Sequence, residues 1–198
     1  MSIDIFKIIM AKQDGRNLRS INSKKLIVDA CIKLFKAGNL EPTAQQVADE
    51  SGVGIRTVFR QFDEMENLFK SVDAVLSKDY DFEVRYDPSS SFETRLQSTI
   101  NHMNAGYEKH KLIMFMTVSK MWKYRFLKEN YLMYQDIIKN KTEEILPEVL
   151  NFDTESRHLF HANLAFAMWT RLQGQKLNND QITKAMLRQC ILIANDNR

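Results

Sequence analysis

The sequence predicts an all-α protein in two parts: an N-terminal three-helix domain built around a helix-turn-helix, and a larger helical C-terminal domain. Three observations carry this. The 198 residues hold only three prolines and six glycines, too few for a fold rich in turns. Apolar residues recur at helical spacing along most of the chain. No Asn-Gly hairpin signal and few alternating runs occur, so no strand is expected. With 44% hydrophobic and 27% charged residues the composition is that of a globular protein able to bury a core. The net charge of +3 is too mild to announce a nucleic-acid partner, so local placement must decide that question. Residues 1–21 read as a basic and apolar N-terminal arm, 22–76 as the helix-turn-helix domain and 77–198 as the second domain.

In the arm, Ile3, Ile5, Phe6, Ile8, Ile9 and Met10 suit packing on a neighbour. Lys12, Arg16, Arg19, Lys24 and Lys25 then form a basic run, either a solvated linker or an arm that tracks a DNA groove. Helix one is expected from Lys24 to Ala37, capped by Asn22 or Ser23 and ended by Gly38 and Asn39. Its inner face is Leu26, Ile27, Ala30, Leu34 and Phe35.

The stretch Pro42 to Phe62, PTAQQVADESGVGIRTVFRQF, reads as two short helices and a tight turn. Thr43 can accept a backbone N–H left unpaired by the first turn. Gly52 falls at the bend, where positive φ carries no Cβ penalty. Ile55, Val58, Phe59 and Phe62 form an i, i+3, i+4, i+7 stripe. The opposite face carries Arg56, Thr57, Arg60 and Gln61, and no carboxylate occurs from Gly52 to Phe62. Such a cationic, hydrogen-bonding face suits the major groove, since arginine can fork to guanine O6 and N7. Asp63 with Glu66 suggests a capping box for a fourth helix along Leu68, Val72, Val75 and Leu76.

From Leu26 to Phe69 the chain resembles the DNA-binding domain of the TetR/AcrR family of bacterial transcription regulators. The likeness rests on LIVDACIKLFKAGN, PTAQQVADESGVGIRTVFRQF and DEMENLF, with Ala30, Phe35, Gly38, Val47, Ala48, Gly52, Val53, Phe59 and Phe62 at matching positions. The chain departs where that family usually has Tyr, His and Lys, carrying Phe59, Gln61 and Met65 instead. The resemblance implies base contacts from Arg56, Arg60 and Gln45. It implies phosphate contacts from Thr43, Thr57, Gln61, Lys24 and Lys25. It further implies a homodimer on a palindromic double-stranded operator, a ligand-responsive repressor, and a fourth helix that couples the two domains. The alternative is a ligand-independent architectural DNA-binding protein, or an interaction module, on the same fold.

The serine-rich YDPSSS, residues 86–91, reads as a linker. Beyond it, helices are expected along the Phe92 to Tyr107 stripe, over Leu112–Trp122, from Tyr124 to Leu146 ahead of Pro147, from Thr154 to Gln173 and from Gln181 to Ala194. Met103, Tyr107, Met114, Met121, Trp122, Phe126, Tyr131 and Tyr134 crowd one region, as bundle core or as a pocket for a small apolar or amphipathic effector. The last two helices are apolar over a wide arc, so one side can face a twin subunit. Phe160, Leu164, Trp169, Met186, Cys190 and Ile193 are the candidate interface residues, since the family likeness places a four-helix dimer contact there. His158 and His161 have metal-compatible spacing but no third ligand, so no metal site is expected. No nucleophile elbow, ordered triad or phosphate-cradling glycine loop is present, and neither an enzyme nor a cofactor is expected. Cys31 and Cys190 read as reduced core thiols. With no apolar run long enough for a span and no convincing signal peptide, no membrane partner is expected, and a cytoplasmic location fits.

Overall fold

The computed structural model describes residues 2–197, with side chains from residue 17 to residue 197. Every regular element among these is helical. The chain divides into two compact units, residues 1–79 and 80–198.

The first unit holds α1 (Ser2–Lys36), α2 (Ala44–Ser51), α3 (Ile55–Phe62) and α4 (Met65–Leu76). The expected helix start at Lys24 is overturned, because α1 runs unbroken through Asn22 and Ser23. No proline interrupts it, and the Ser23 hydroxyl bonds back to the Arg19 carbonyl at 2.9 Å instead of capping. Packing of the apolar residues 3–10, and the side chains of Lys12 and Arg16, lie outside the described residues. The end of α1 follows expectation. Gly38 takes φ 89. Its N–H reaches Phe35 and that of Asn39 reaches Leu34, satisfying carbonyls the helix leaves open. Ile27, Cys31 and Phe35 from α1 are buried, as are Val47, Val58, Phe62, Leu68 and Val72 from the other three helices, and Phe35 lies 5.8 Å from Phe69, ring to ring. Burial pushes the Cys31 thiol up to about 12, as expected for an inert core cysteine.

The expected capping box at Asp63 is not formed. Asp63 instead closes α3 with φ 62, its N–H bonded to Phe59 O. Glu64 precedes α4 without a side-chain cap. Asn67 Nδ2 bonds the Phe62 carbonyl at 3.0 Å and ties α4 to the end of α3.

The second unit opens with an extended strap. Tyr80, Phe82, Val84 and Tyr86 are half-buried while Asp81, Glu83 and Arg85 are exposed, the alternation of extended backbone. His102 holds the Asp81 carbonyl at 2.9 Å and Phe82 stacks on Tyr134 at 5.9 Å. A turn around Asp87 leads to α5 (Phe92–Lys120), capped by Ser91. Then come α6 (Arg125–Ile145), α7 (Thr154–Leu164), α8 (Phe166–Gly174) and α9 (Asn179–Asp196). The single helix expected from Thr154 to Gln173 is broken at Ala165, whose ψ of 153 is extended. The Tyr107 hydroxyl donates to the Leu164 carbonyl at 2.7 Å, supplying a partner that a continuous helix would have drawn from its own backbone. Asn178 and Gln181 form a reciprocal capping box at the start of α9.

Phe160, Leu164, Trp169, Met186, Cys190 and Ile193, the candidate interface residues, all lie inside the unit's own apolar cluster, none more than 8% exposed. The apolar residues that α7 and α9 do show to solvent are Leu159 and Leu192.

Candidate nucleic-acid interface

The helix-turn-helix is built from local chemistry. Thr43 takes an extended conformation and accepts from the Gln46 N–H at 3.2 Å, while Gln46 Oε1 accepts from the Thr43 N–H at 2.9 Å. The Thr43 hydroxyl is therefore part of a capping box. Gly52 ends α2 in the left-handed region at φ 69, the bend its position suggested. Gly54, extended, precedes α3.

Helix α3 buries Val58 and Phe62 and turns Arg56, Phe59 and Arg60 outward. Phe59 is 47% exposed, so its assignment to the inner stripe is corrected. Helical steps of about 100° place it at the edge of the arc centred on Val58 and Phe62, next to Arg56. Neither arginine has an ion-pair partner among the described residues; Arg60 Nη2 reaches only Thr57 Oγ1, at 3.5 Å. The outward face thus carries two guanidinium groups beside an exposed aromatic ring, with no acidic residue in the helix.

The other candidates sit around this face in different states. Lys24 lies over the Phe62 ring, 5.4 Å from its centroid, and Gln61 bonds Ser20 at 3.0 Å. These contacts lay α1 along the last turn of α3 and bring Lys24 to the edge of the cationic surface. Lys25 is exposed. Gln45 is exposed on α2 and donates to Asp49 at 2.7 Å, which leaves its amide oxygen and second N–H for another partner. Glu50 on the same helix pairs with Lys33 at 2.5 Å. Ser20 and Phe59 belong to this surface, and sequence reasoning does not single them out as contact residues. The first is visible only through its tertiary bond. The second follows from counting the helical angle rather than hydrophobicity.

The second unit distributes its candidate pocket residues unevenly. Met103 and Tyr107 are buried in the core cluster and Met114 packs against it. Burial raises the Tyr107 hydroxyl well above its ordinary value. Tyr134 joins Tyr80 and Phe82 in an aromatic group. Met121, Phe126 and Tyr131 are half-buried, and Trp122 is 80% exposed, so it lines no interior site. Two buried polar atoms in this unit's core, Trp169 Nε1 and Asn104 Oδ1, have no hydrogen-bond partner among the described residues. His161 bonds Glu143 at 2.8 Å, and Arg157 clamps the same carboxylate through two nitrogens. These donors hold the Glu143 carboxyl below its usual range, Arg157 foremost. No group of three metal-ligating side chains occurs among the described residues.

Among known proteins, no family model matches the chain and no curated protein matches it.

Proposed function

We propose that this chain is a sequence-specific DNA-binding regulator of transcription, of TetR/AcrR type, acting as a ligand-responsive dimeric repressor. The observation that carries the reading is the outward face of α3. Arg56 and Arg60 project from a short helix that holds no carboxylate, behind a tight Gly52 turn. In this reading the helix enters the major groove and the two arginines reach base edges, while Lys24, Lys25, Thr57 and Gln61 hold phosphates. Phe59, exposed beside Arg56, offers an apolar surface for a thymine methyl group. Thr43 serves the interface through the cap it forms rather than through a free hydroxyl.

A homodimer would present two such helices to a palindromic duplex, with Leu159 and Leu192 as the exposed apolar residues available for the subunit contact. A small amphipathic effector in the second unit, carrying a hydrogen-bond acceptor and a donor, would satisfy Trp169 Nε1 and Asn104 Oδ1. By favouring a form that binds DNA less well, it would shift the population off the operator. The burial of Met103 and Tyr107 in the unit's own cluster favours a second reading, a ligand-independent architectural DNA-binding protein with the same interface.

Substituting Arg56→Ala and Lys25→Ala separately tests the interface. Arg56→Ala is expected to relax preference at one base pair by about 1–3 kcal/mol. Lys25→Ala is expected to weaken all sequences alike and lower the salt slope by about one. Equal selectivity in Arg56→Ala and the parent, measured by competition between duplexes, would overturn the assignment of α3 as the reading helix.

A further inference from the structure

We propose that the turn joining α5 to α6 docks the protein on an anionic lipid surface. This goes beyond the expectation of no membrane partner and stands apart from the DNA reading. The segment 118–128, VSKMWKYRFLK, contains Lys120, Lys123, Arg125 and Lys128 and no carboxylate. At its centre Trp122 is 80% exposed, the most exposed large apolar side chain in the described residues. Its indole N–H is already satisfied by the Ser119 carbonyl at 2.9 Å. The ring therefore offers a partner apolar surface and asks for no hydrogen bond.

Exposed apolar side chains occur on both helices that flank the turn. On α5, Phe115 and Val118 are each 40% exposed, and Trp122 lies in the turn just past the helix end at Lys120. On α6, Leu132, 52% exposed, lies one heptad beyond Arg125 on the same face, with Lys128 between them. Lys123 extends over the Tyr124 ring at 5.2 Å, keeping a cation beside an aromatic plane. Arg125 pairs with Glu129 at 2.7 Å, and both side chains remain largely in solvent, at 90% and 57% exposed. Such a pair is weak and readily exchanged for a lipid phosphate. Lysine and arginine stems can lie along apolar surface with their charges at the headgroups, and tryptophan favours the interface between headgroup and chain.

The chemistry selects a bilayer over a nucleic acid. The phosphate wall of a duplex would use the cations but leave Trp122, Val118 and Leu132 in water. A single strand could stack a base on Trp122 but offers nothing to Val118 and Leu132. An anionic bilayer takes cations at its surface and apolar side chains just beneath it. Attachment is peripheral, since no helix among the described residues is long and apolar enough to cross a membrane.

The test uses the full chain with phosphatidylcholine vesicles, with and without an equal share of phosphatidylglycerol. The chain has two tryptophans, and Trp169 is 0% exposed, so iodide quenching reports Trp122. The expected result is sedimentation with anionic vesicles only, a blue shift of emission, and shielding of Trp122 from iodide. Each basic residue near an anionic surface contributes about fivefold in partitioning, so Lys128→Ala, at an exposed position, is expected to lower it roughly fivefold. Trp122→Ala is expected to lower it too while leaving the circular dichroism unchanged. Failure to sediment, equal binding to neutral vesicles, or unchanged binding by Lys128→Ala overturns the proposal. Shielding of Trp122 by a single-stranded oligonucleotide but not by vesicles overturns it in favour of a nucleic-acid contact.

Discussion

Replacing Phe160 by alanine separates an internal core from a subunit interface. Phe160 is 0% exposed, and its ring lies 6.4 Å from Phe92 and 5.8 Å from Phe152. Truncating a fully buried phenylalanine removes its transfer free energy and leaves a cavity, together about 3–5 kcal/mol. Against a total stability of about 5–15 kcal/mol, that is a large share. At about 2–4 °C per kcal/mol for a chain of this size, Tm should fall by roughly 6–20 °C. The neighbouring residue supplies the control. Leu159, one step around the same helix, is 58% exposed, and Leu159→Ala should change subunit stability by no more than about 0.5 kcal/mol. Urea unfolding followed by circular dichroism measures both variants, and sedimentation gives their mass. Phe160→Ala should lower the urea midpoint with no loss of association while the chain stays folded. Near-parental subunit stability in Phe160→Ala, combined with a halved mass, would show that the side chain faces a partner and that α7 does not bury it within its own subunit.

Further expectations follow from single contacts. Thr43→Ala removes the hydroxyl of the α2 capping box and should cost the first unit about 1 kcal/mol, read as faster amide exchange at Gln46 and a lower melting point. Thr43→Ser should restore most of it. The His161 imidazole is pushed below its usual 6.5, chiefly by burial, with Glu143 opposing. As pH falls through 6.5 the unfolded chain therefore takes this proton first, and the histidine's contribution makes stability decrease toward acid. His161→Gln, which retains a donor toward Glu143, should flatten that part of the stability profile between neutral pH and the lowered value. An unchanged slope would show that His161 titrates alike in both states.

The sequence was legible where structure is decided within a few residues. Thr43, Gly38 and Gly52 act through their own backbone neighbourhoods, and α2, the turn and α3 fall where those residues placed them. Asn178 likewise caps α9 through Gln181. The failures share a cause, the dependence on a distant residue or on a choice between two allowed partners. Ser23 could cap a helix or bond back to Arg19, and only a continuous α1 selects the second. The break at Ala165 involves Tyr107, more than fifty positions upstream in another helix. The strap 80–86 alternates visibly in YDFEVRY. A run that short signals extended backbone without saying what it lies on, and it takes Tyr134 and His102 to hold it. A wide apolar arc on α7 and α9 suggested two covered sides. The described fold uses most of that arc internally and leaves Leu159 and Leu192 at the surface.

For the candidate interface, the arginines were legible because a helical stripe with Val58 and Phe62 inward forces Arg56 and Arg60 outward. Phe59 was not, because its hydrophobicity assigned it inward while its helical angle placed it at the border. Gln45 and Gln61 were legible as polar groups of the outer face but not as bonded to Asp49 and Ser20.

Selection of bound sites from a pool of random duplex DNA decides whether α3 reads sequence at all. Two recognition helices related by a twofold axis should enrich an inverted repeat whose half-sites are centred about one helical turn, 10–10.5 base pairs, or a multiple of it, apart. Recovery of no enriched sequence by the intact chain would refute a gene-regulatory role for this surface.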